Sequence, residues 1–318
     1  MRAVVLTQFG GPEVLELRDV PVPVPGPGEL RVRVIASAAN PVEAKIRASG
    51  TWARIPLPAV IGYDAAGVVD AVGPGVTDFS PGDEVFYTPE VFGNPAGTHA
   101  DYNVVHAHVV ARKPQSLSFA EAASLPLAGG TAYEGIVRRL AVRVGETVLI
   151  HGGAGGVGSL AIQIAKASGA RVIATAGTRN QEFLRELGAD VSIDYVTEDV
   201  SHVVRRETRQ QGVDATFDCV GGELAAKSVP LTRVFGRIAT ILPPKGDFAP
   251  LYVRNQALHG VFLTRERPRL EALARMVEFG QLKPIVDQEL PLERIREAHE
   301  RLDSGHGRGK IVVRVSEP

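Results

Sequence analysis

The sequence predicts an α/β chain in which a doubly wound parallel sheet is inserted into a barrel-like β domain. Three observations lead there. Residues 1 to about 120 hold many short strand patterns separated by glycine and proline turns. From Glu146 to Arg179 the chain reads strand, glycine turn, helix, strand. Near the end, Ile311-Val312-Val313-Arg314-Val315 alternates with period two, as the first strands do, so this segment is expected to rejoin them. The expected division is 1–121 with 266–318, around an inserted 122–265.

In the first part, Ala3 to Leu6 and Val14 to Leu17 read as strands, and Leu30 to Val34 alternates cleanly. Val20 to Gly28 carries proline at every second position. Proline gives no N–H to a ladder, so this stretch is an extended connector. Ala66 to Val69, Glu84 to Tyr87 and Ala100 to Val105 follow as strands, with turns at Gly73-Pro74-Gly75 and Pro81-Gly82-Asp83. Ser118 and Glu121 make a capping box. Helical composition then runs from Ala120 to Leu140, with a break expected near Pro126 and Gly129-Gly130.

Val148-Leu149-Ile150 is the apolar strand of the next unit. Gly153, Gly155 and Gly158 satisfy G-x-G-x-x-G after it, and Leu160, Ile164 and Ala167 mark one helix face. In such a turn one glycine permits the bend, one lets the backbone approach a pyrophosphate, and one lets helix and sheet pack closely. The free N–H groups at the helix start then face the phosphates, so this unit reads as a dinucleotide site. Strands at Val191 to Asp194, Ala215 to Val220 and Arg237 to Ile241 alternate with helices at Gln181 to Leu187 and Val200 to Gln210, as a parallel sheet requires. Helices at Arg269 to Phe279 and Leu292 to Leu302 precede the last strand.

The net charge of −1 argues against a general nucleic-acid binder. The single cysteine, Cys219, allows no intrachain disulfide and no cysteine-rich zinc site. No apolar run of about 18 residues occurs and no signal-peptide pattern opens the chain, so the expected setting is a reducing cytoplasm without membrane attachment.

Several motifs recur together: Asn40-Pro41-Val42-Glu43 with Arg47 and Gly50, Gly62-Tyr63-Asp64-Ala65-Ala66-Gly67, Leu125-Pro126-Leu127-Ala128 with Thr131-Ala132, the glycine turn, Asp218-Cys219-Val220-Gly221-Gly222, and Gly309-Lys310. Carrying them, the chain resembles the medium-chain dehydrogenase/reductases over nearly its whole length. More narrowly it resembles their zinc-independent, zeta-crystallin-like NADPH:quinone oxidoreductase branch. The resemblance implies a GroES-like catalytic domain split around a Rossmann domain. It also implies a small quinone, enone or enal substrate, and a homodimer paired near Leu258 to Leu263.

Zinc-dependent members of that family hold catalytic zinc with a cysteine near the first motif, a histidine–glutamate pair and a later cysteine. Here Ala38-Ala39-Asn40-Pro41 and Tyr63-Asp64 stand in the first two places. No metal is expected, and His99, His106 and His108 read as surface or hydrogen-bonded histidines.

The second strand of the nucleotide unit ends in Thr175-Ala176-Gly177-Thr178-Arg179-Asn180, without the acidic residue of NAD-preferring sites. Arg179 can pair with a 2′-phosphate and Thr178 can donate a hydroxyl to it, so NADPH is the expected cofactor. The resemblance places the phosphates on Gly153, Ala154, Gly155, Gly156 and Val157, and the adenosine end on Gly177, Thr178, Arg179 and Tyr195. It places the nicotinamide end near Asn40, Thr131 and Phe262, and gives Lys310 a reach to the phosphates.

Without zinc there is no Lewis acid to polarise a carbonyl, so hydride delivery suits an acceptor that is already electrophilic. The candidate catalytic residues are Asn40, Tyr63 and Thr131. Asn40 reads as a donor beside the nicotinamide or as a turn residue before Pro41. Tyr63 reads as a cleft group or a packed ring, and Thr131 as a nicotinamide neighbour or an ordinary helix residue. Lys45 reads as a donor to a carbonyl oxygen or as a solvated side chain, and Trp52 and Phe262 as apolar walls or core. The alternatives are a zinc-independent reductase of aldehydes or ketones, and a non-catalytic NADPH sensor or RNA-binding protein.

Overall fold

The structure, a computed structural model, describes residues 1–305 and 307–317. It divides into two compact units. The first comprises Met1–Leu127, Thr264–Glu278 and the chain from Pro284 onward; the second comprises Ala128–Leu263 and Phe279–Lys283.

In the first unit the strand Glu29–Ala39 is the spine. It pairs antiparallel with Ala65–Val72, Tyr102–His106 and Lys310–Arg314. Val286–Pro291 lies beyond Lys310–Arg314, and Glu84–Tyr87 and Val110–Arg112 lie beyond Ala65–Val72. The alternation read in the sequence puts Leu30, Val32 and Val34 in the core. Val20 to Gly28 forms no strand, as its proline spacing predicts. The helix Pro41–Ser49 escapes a strand-only reading of this region, although its start carries the right signals. Pro41 occupies the first turn, and Asn40 with Glu43 makes a capping box.

In the second unit six parallel strands run in the order Val191–Asp194, Arg171–Ala176, Thr147–His151, Val213–Asp218, Thr232–Thr240, Ala257–Gly260. The chain winds outward from Thr147–His151 on one side and then returns to its other side. That reversal puts a crevice at the carboxyl end of this strand, where the glycine turn begins. Leu149, Ile173, Ile193 and Val213 pack under Val203 and Val204 of the helix Val200–Glu207.

The expected break occurs before Pro126, between the helices Phe119–Ala123 and Pro126–Tyr133, but none occurs at Gly129-Gly130. The helix Pro126–Tyr133 passes through both glycines and continues as a π-type turn, Glu134–Arg139. Glycine serves close packing here. A Cβ at Gly130 would stand 3.0 Å from Leu263, and one at Gly135 would stand 2.4 Å from the Phe217 ring. No described helix is long and apolar enough to cross a membrane.

Candidate functional site

The glycine turn leaves the buried strand Thr147–His151 and enters the helix Gly156–Ala167 with Gly155 as its N-cap. Two glycines differ in what surrounds them. A Cβ at Gly158 would collide with the Gly152 carbonyl oxygen at 2.1 Å, so this position seals helix against turn. A Cβ at Gly155 would meet nothing nearer than 3.5 Å, so this side of the turn is open. The first N–H groups of the helix have no partner within it, and no acidic residue occupies its first turn. An open backbone face beside free N–H groups fits a pyrophosphate.

At the other end of this cradle, Arg171–Ala176 leads to Gly177 and an exposed Thr178-Arg179 pair. The exposed Tyr195 turns its hydroxyl toward Gly177, 3.5 Å from where a Cβ there would be. Asp194 sits at the end of the neighbouring strand, opposite Ala176. Hydrogen bonds from the Thr178 hydroxyl and the Val196 N–H hold its carboxyl below the usual carboxylate range. Thr178 thus lies beside a carboxylate that the linear reading did not weigh. Arg179 makes no ion pair among the described residues and remains available to an anion. Thr131 is buried in the helix Pro126–Tyr133, and Phe262 is 54% exposed just after the edge strand.

The first unit holds a buried polar hub. Lys310 Nζ donates to Ala39 O at 3.0 Å, to Asn40 Oδ1, and to Asp64 Oδ2 at 3.3 Å. Its hydrogens are committed inside this unit, which leaves none for the cofactor phosphates that the terminal Gly-Lys motif suggests. Asn40 is 1% exposed, and its Nδ2 donates to Ala38 O, Glu43 Oε1 and Asp64 Oδ2. Asn40 thus joins the helix start to the strand ends and presents no free amide edge. Burial raises the Asp64 carboxyl to about 6, although Lys310, Asn40 and the Leu127 N–H all favour its charged form.

Next to the hub, Glu43 Oε2 lies 3.1 Å from His99 Nε2, and Glu43 Oε1 accepts from the Tyr63 N–H at 3.0 Å. Burial alone would raise the Glu43 carboxyl, but the facing His99 imidazole, together with His299 and Lys310, more than offsets this and leaves it lowered. His299 packs edge-on to His99 with ring centroids 6.4 Å apart, and burial lowers its pKa to about 4. The Tyr63 ring is fully buried and its hydroxyl has no hydrogen-bond partner. Burial first, then Glu43, raises that hydroxyl far above its ordinary value. Lys45 is exposed, and Trp52 meets Phe92 edge to face at 5.9 Å.

Asn40, Tyr63 and Asp64 do not fit a catalytic zinc. Asn40 Oδ1 and one Asp64 oxygen already face the Lys310 ammonium, and the third group is an un-ionised phenol. The sequence reading found Asn40 and Tyr63. It missed Lys310 as the partner of both Asn40 and Asp64, and it missed His299 entirely.

Residues 26–115 match the family described as alcohol dehydrogenase GroES-like domain, and residues 187–313 that described as zinc-binding dehydrogenase. The chain is 34% identical to the quinone oxidoreductase of Homo sapiens, over 98% of this chain and 97% of the relative. It is 36% identical to the chloroplastic NADPH-dependent alkenal/one oxidoreductase of Arabidopsis thaliana, over 98% of this chain and 79% of the relative. A solved structure named NAD-dependent alcohol dehydrogenase superposes with a TM-score of 0.93 at 40% identity, covering 99% of this chain and 100% of that one.

Proposed function

Because this chain belongs to the medium-chain dehydrogenase/reductase superfamily, we propose that it is an NADPH-dependent reductase of quinones or α,β-unsaturated carbonyls that works without catalytic zinc. The observation that carries this reading is the Lys310 ammonium held by Asn40 and Asp64, at positions where a zinc-dependent relative needs metal ligands. A saturated ketone would then have to be polarised by hydrogen bonds alone, whereas a quinone or an enone is electrophilic from the start.

NADPH, when bound, supplies the hydride. The residues proposed to hold it are Gly153 to Val157 at the pyrophosphate, and Gly177, Arg179 and Tyr195 at the 2′-phosphate end. Thr131 and Phe262 are proposed for the nicotinamide end. Tyr63 is proposed to donate a hydrogen bond to the oxygen on which negative charge develops. As a phenol it is protonated at neutral pH, so it can stabilise an enolate or hydroquinone anion without surrendering its proton. The final proton then comes from solvent. Asn40 is proposed as a positioning residue that fixes Asp64 and the start of the helix Pro41–Ser49.

The edge strand Ala257–Gly260 pairs on one side only among the described residues, and we place a homodimer contact there. Its test is a sedimentation mass of two chains. The chemistry of one cysteine, with no bridge to form, suits a reducing cytosol.

The test of the activity is NADPH oxidation with a 1,4-quinone and, separately, with a 2-alkenone, each product being identified. Turnover of either supports the proposal, and the faster one names the substrate class. Tight NADPH binding with silence toward both overturns it. Turnover of a saturated aldehyde with NADH, as the name of the 40% identical structure suggests, would then be the reading to adopt.

A further inference from the structure

Glu43, His99 and His299 are brought together in the first unit from three distant segments of the chain. All three are fully buried. One carboxylate oxygen and one nitrogen from each ring lie within 4.8 Å of one another. Neither nitrogen of His299 has a hydrogen-bond partner among the described residues. A buried imidazole with both nitrogens unpaired is uncommon, since buried polar groups normally find a partner, an ordered water or an ion.

The charges around the cluster point the same way. Arg47 is paired with Asp303 at 2.7 Å, and Lys310 with Asp64 at 3.3 Å. These pairs leave the Glu43 carboxylate with no dedicated Lys or Arg partner. Among the described residues its one ion-pair contact is His99. Buried carboxylates are ordinarily paired or bound to metal.

We propose that Glu43, His99 and His299 bind a divalent transition cation of the zinc type, beside the hub of Asn40 and Asp64 but with none of the hub's side chains as ligands. The donor set of two imidazoles and one carboxylate suits such an ion. The supporting groups are already in place. His99 Nδ1 lies 2.9 Å from Ser37 Oγ, which donates to the Asp64 carbonyl at 2.8 Å. When the ion is bound, the ring proton sits on Nδ1 and bonds to Ser37 Oγ, which frees the Nε2 lone pair for the metal and fixes the ring as ligating histidines require. Glu43 Oε1 accepts from the Tyr63 N–H and Asn40 Nδ2, and Oε2 accepts from the Asn40 N–H at 3.2 Å, which orients the carboxylate and leaves Oε2 one lone pair to bind.

Zinc–ligand bonds of about 2.0–2.2 Å place tetrahedral donors roughly 3.3–3.5 Å apart, closer than the observed spread. His299, which no hydrogen bond holds, is the group that moves in. With every ligand buried, the ion is loaded as the chain folds and holds the helices Pro41–Ser49 and Ile295–Ser304 together. A water completes the tetrahedron, and the ion takes no part in the proposed hydride transfer.

The experiment uses the full-length protein refolded with Co²⁺ or Zn²⁺ and then dialysed against a weak chelator. The expected result is close to one metal per chain by plasma mass spectrometry, with visible ligand-field absorption for cobalt in a low-symmetry N/O site. The exposed pair His106 and His108, with rings 5.6 Å apart, is the competing surface site. The His106→Ala/His108→Ala double variant should keep the metal, and His299→Leu should lose it. If His299→Leu fails to fold, Glu43→Gln with a weakened and shifted cobalt spectrum serves instead. A wild-type protein that retains no metal and shows no cobalt band overturns the proposal, as does loss of the metal from the surface double variant. Neither result bears on quinone or enone turnover, which is measured separately.

Discussion

Lys310 Nζ stands 3.3 Å from Asp64 Oδ2 across a sequence separation of 246 residues, with both side chains almost wholly withdrawn from water. A buried pair of this kind adds little net stability compared with a well-packed apolar pair, yet removing one partner leaves the other charge stranded. Lys310→Met is expected to cost about 3–5 kcal/mol in a urea titration. Adding Asp64→Asn should recover part of that loss. A single-variant cost under about 1 kcal/mol would mean that the ammonium does not hold the hub together.

Arg179 should set the cofactor preference. Arg179→Ala removes the available guanidinium beside Gly177 and is expected to weaken NADPH by roughly 10- to 100-fold, in line with about 1.5–3 kcal/mol for a charged hydrogen bond. NADH should be nearly unaffected. Fluorescence titration with both nucleotides decides it, and equal losses would remove Arg179 from the 2′-phosphate site.

The two glycines of the turn should separate folding from binding. Gly155→Ala adds a methyl to open space and is expected to melt within a few degrees of wild type while losing about tenfold or more in NADPH affinity. Gly158→Ala forces a methyl against the Gly152 carbonyl and should lower the melting temperature as well. Unchanged NADPH affinity in Gly155→Ala would place the pyrophosphate elsewhere.

The Tyr63 hydroxyl contributes no hydrogen bond to the fold, so Tyr63→Phe should be at least as stable as wild type. Its kcat should nonetheless fall by about 100-fold, the loss typical of one missing oxyanion donor. A stable variant with full turnover would remove Tyr63 from the mechanism.

His151 gives the second unit a pH dependence of definite sign. It is buried beside Ser228, and burial lowers its pKa to about 4. Between about 4 and the unfolded value near 6.5, the unfolded chain binds the extra proton. Its contribution is therefore complete above pH 6.5 and is lost as the pH falls toward 4, by about 3 kcal/mol in all. His151→Asn should flatten that decline in thermal melts between pH 7 and 4.5. An unchanged slope would assign the acid sensitivity to other groups.

The nucleotide turn is legible in the sequence because its parts are contiguous. Strand, glycines and helix follow one another between Thr147 and Ala167, and the physical task of each is local. The buried hub is legible only in part. Asn40 and Tyr63 attract notice as departures from a zinc-ligand pattern, but nothing near either announces Lys310. The grouping of His99 with His299 is harder still. It depends on the helix Ile295–Ser304 packing beside the helix Pro41–Ser49, and no spacing along the chain encodes that. Gly129 and Gly130 mislead for a related reason. Glycine reads locally as a helix breaker, while its use here is set by Leu263 far along the chain.

The strand Lys310–Arg314 joins the first sheet beside Glu29–Ala39, and Lys310 meets Asn40 across 270 residues. During synthesis the six-stranded unit has all its strands outside the ribosome before this partner is made. The early β segments must meanwhile wait with an incomplete edge and an unneutralised Asp64. Their burden on chaperones should therefore be greatest in the interval before Lys310 emerges, and a chain stalled there should be degraded from its first unit while the nucleotide unit survives as a protected fragment.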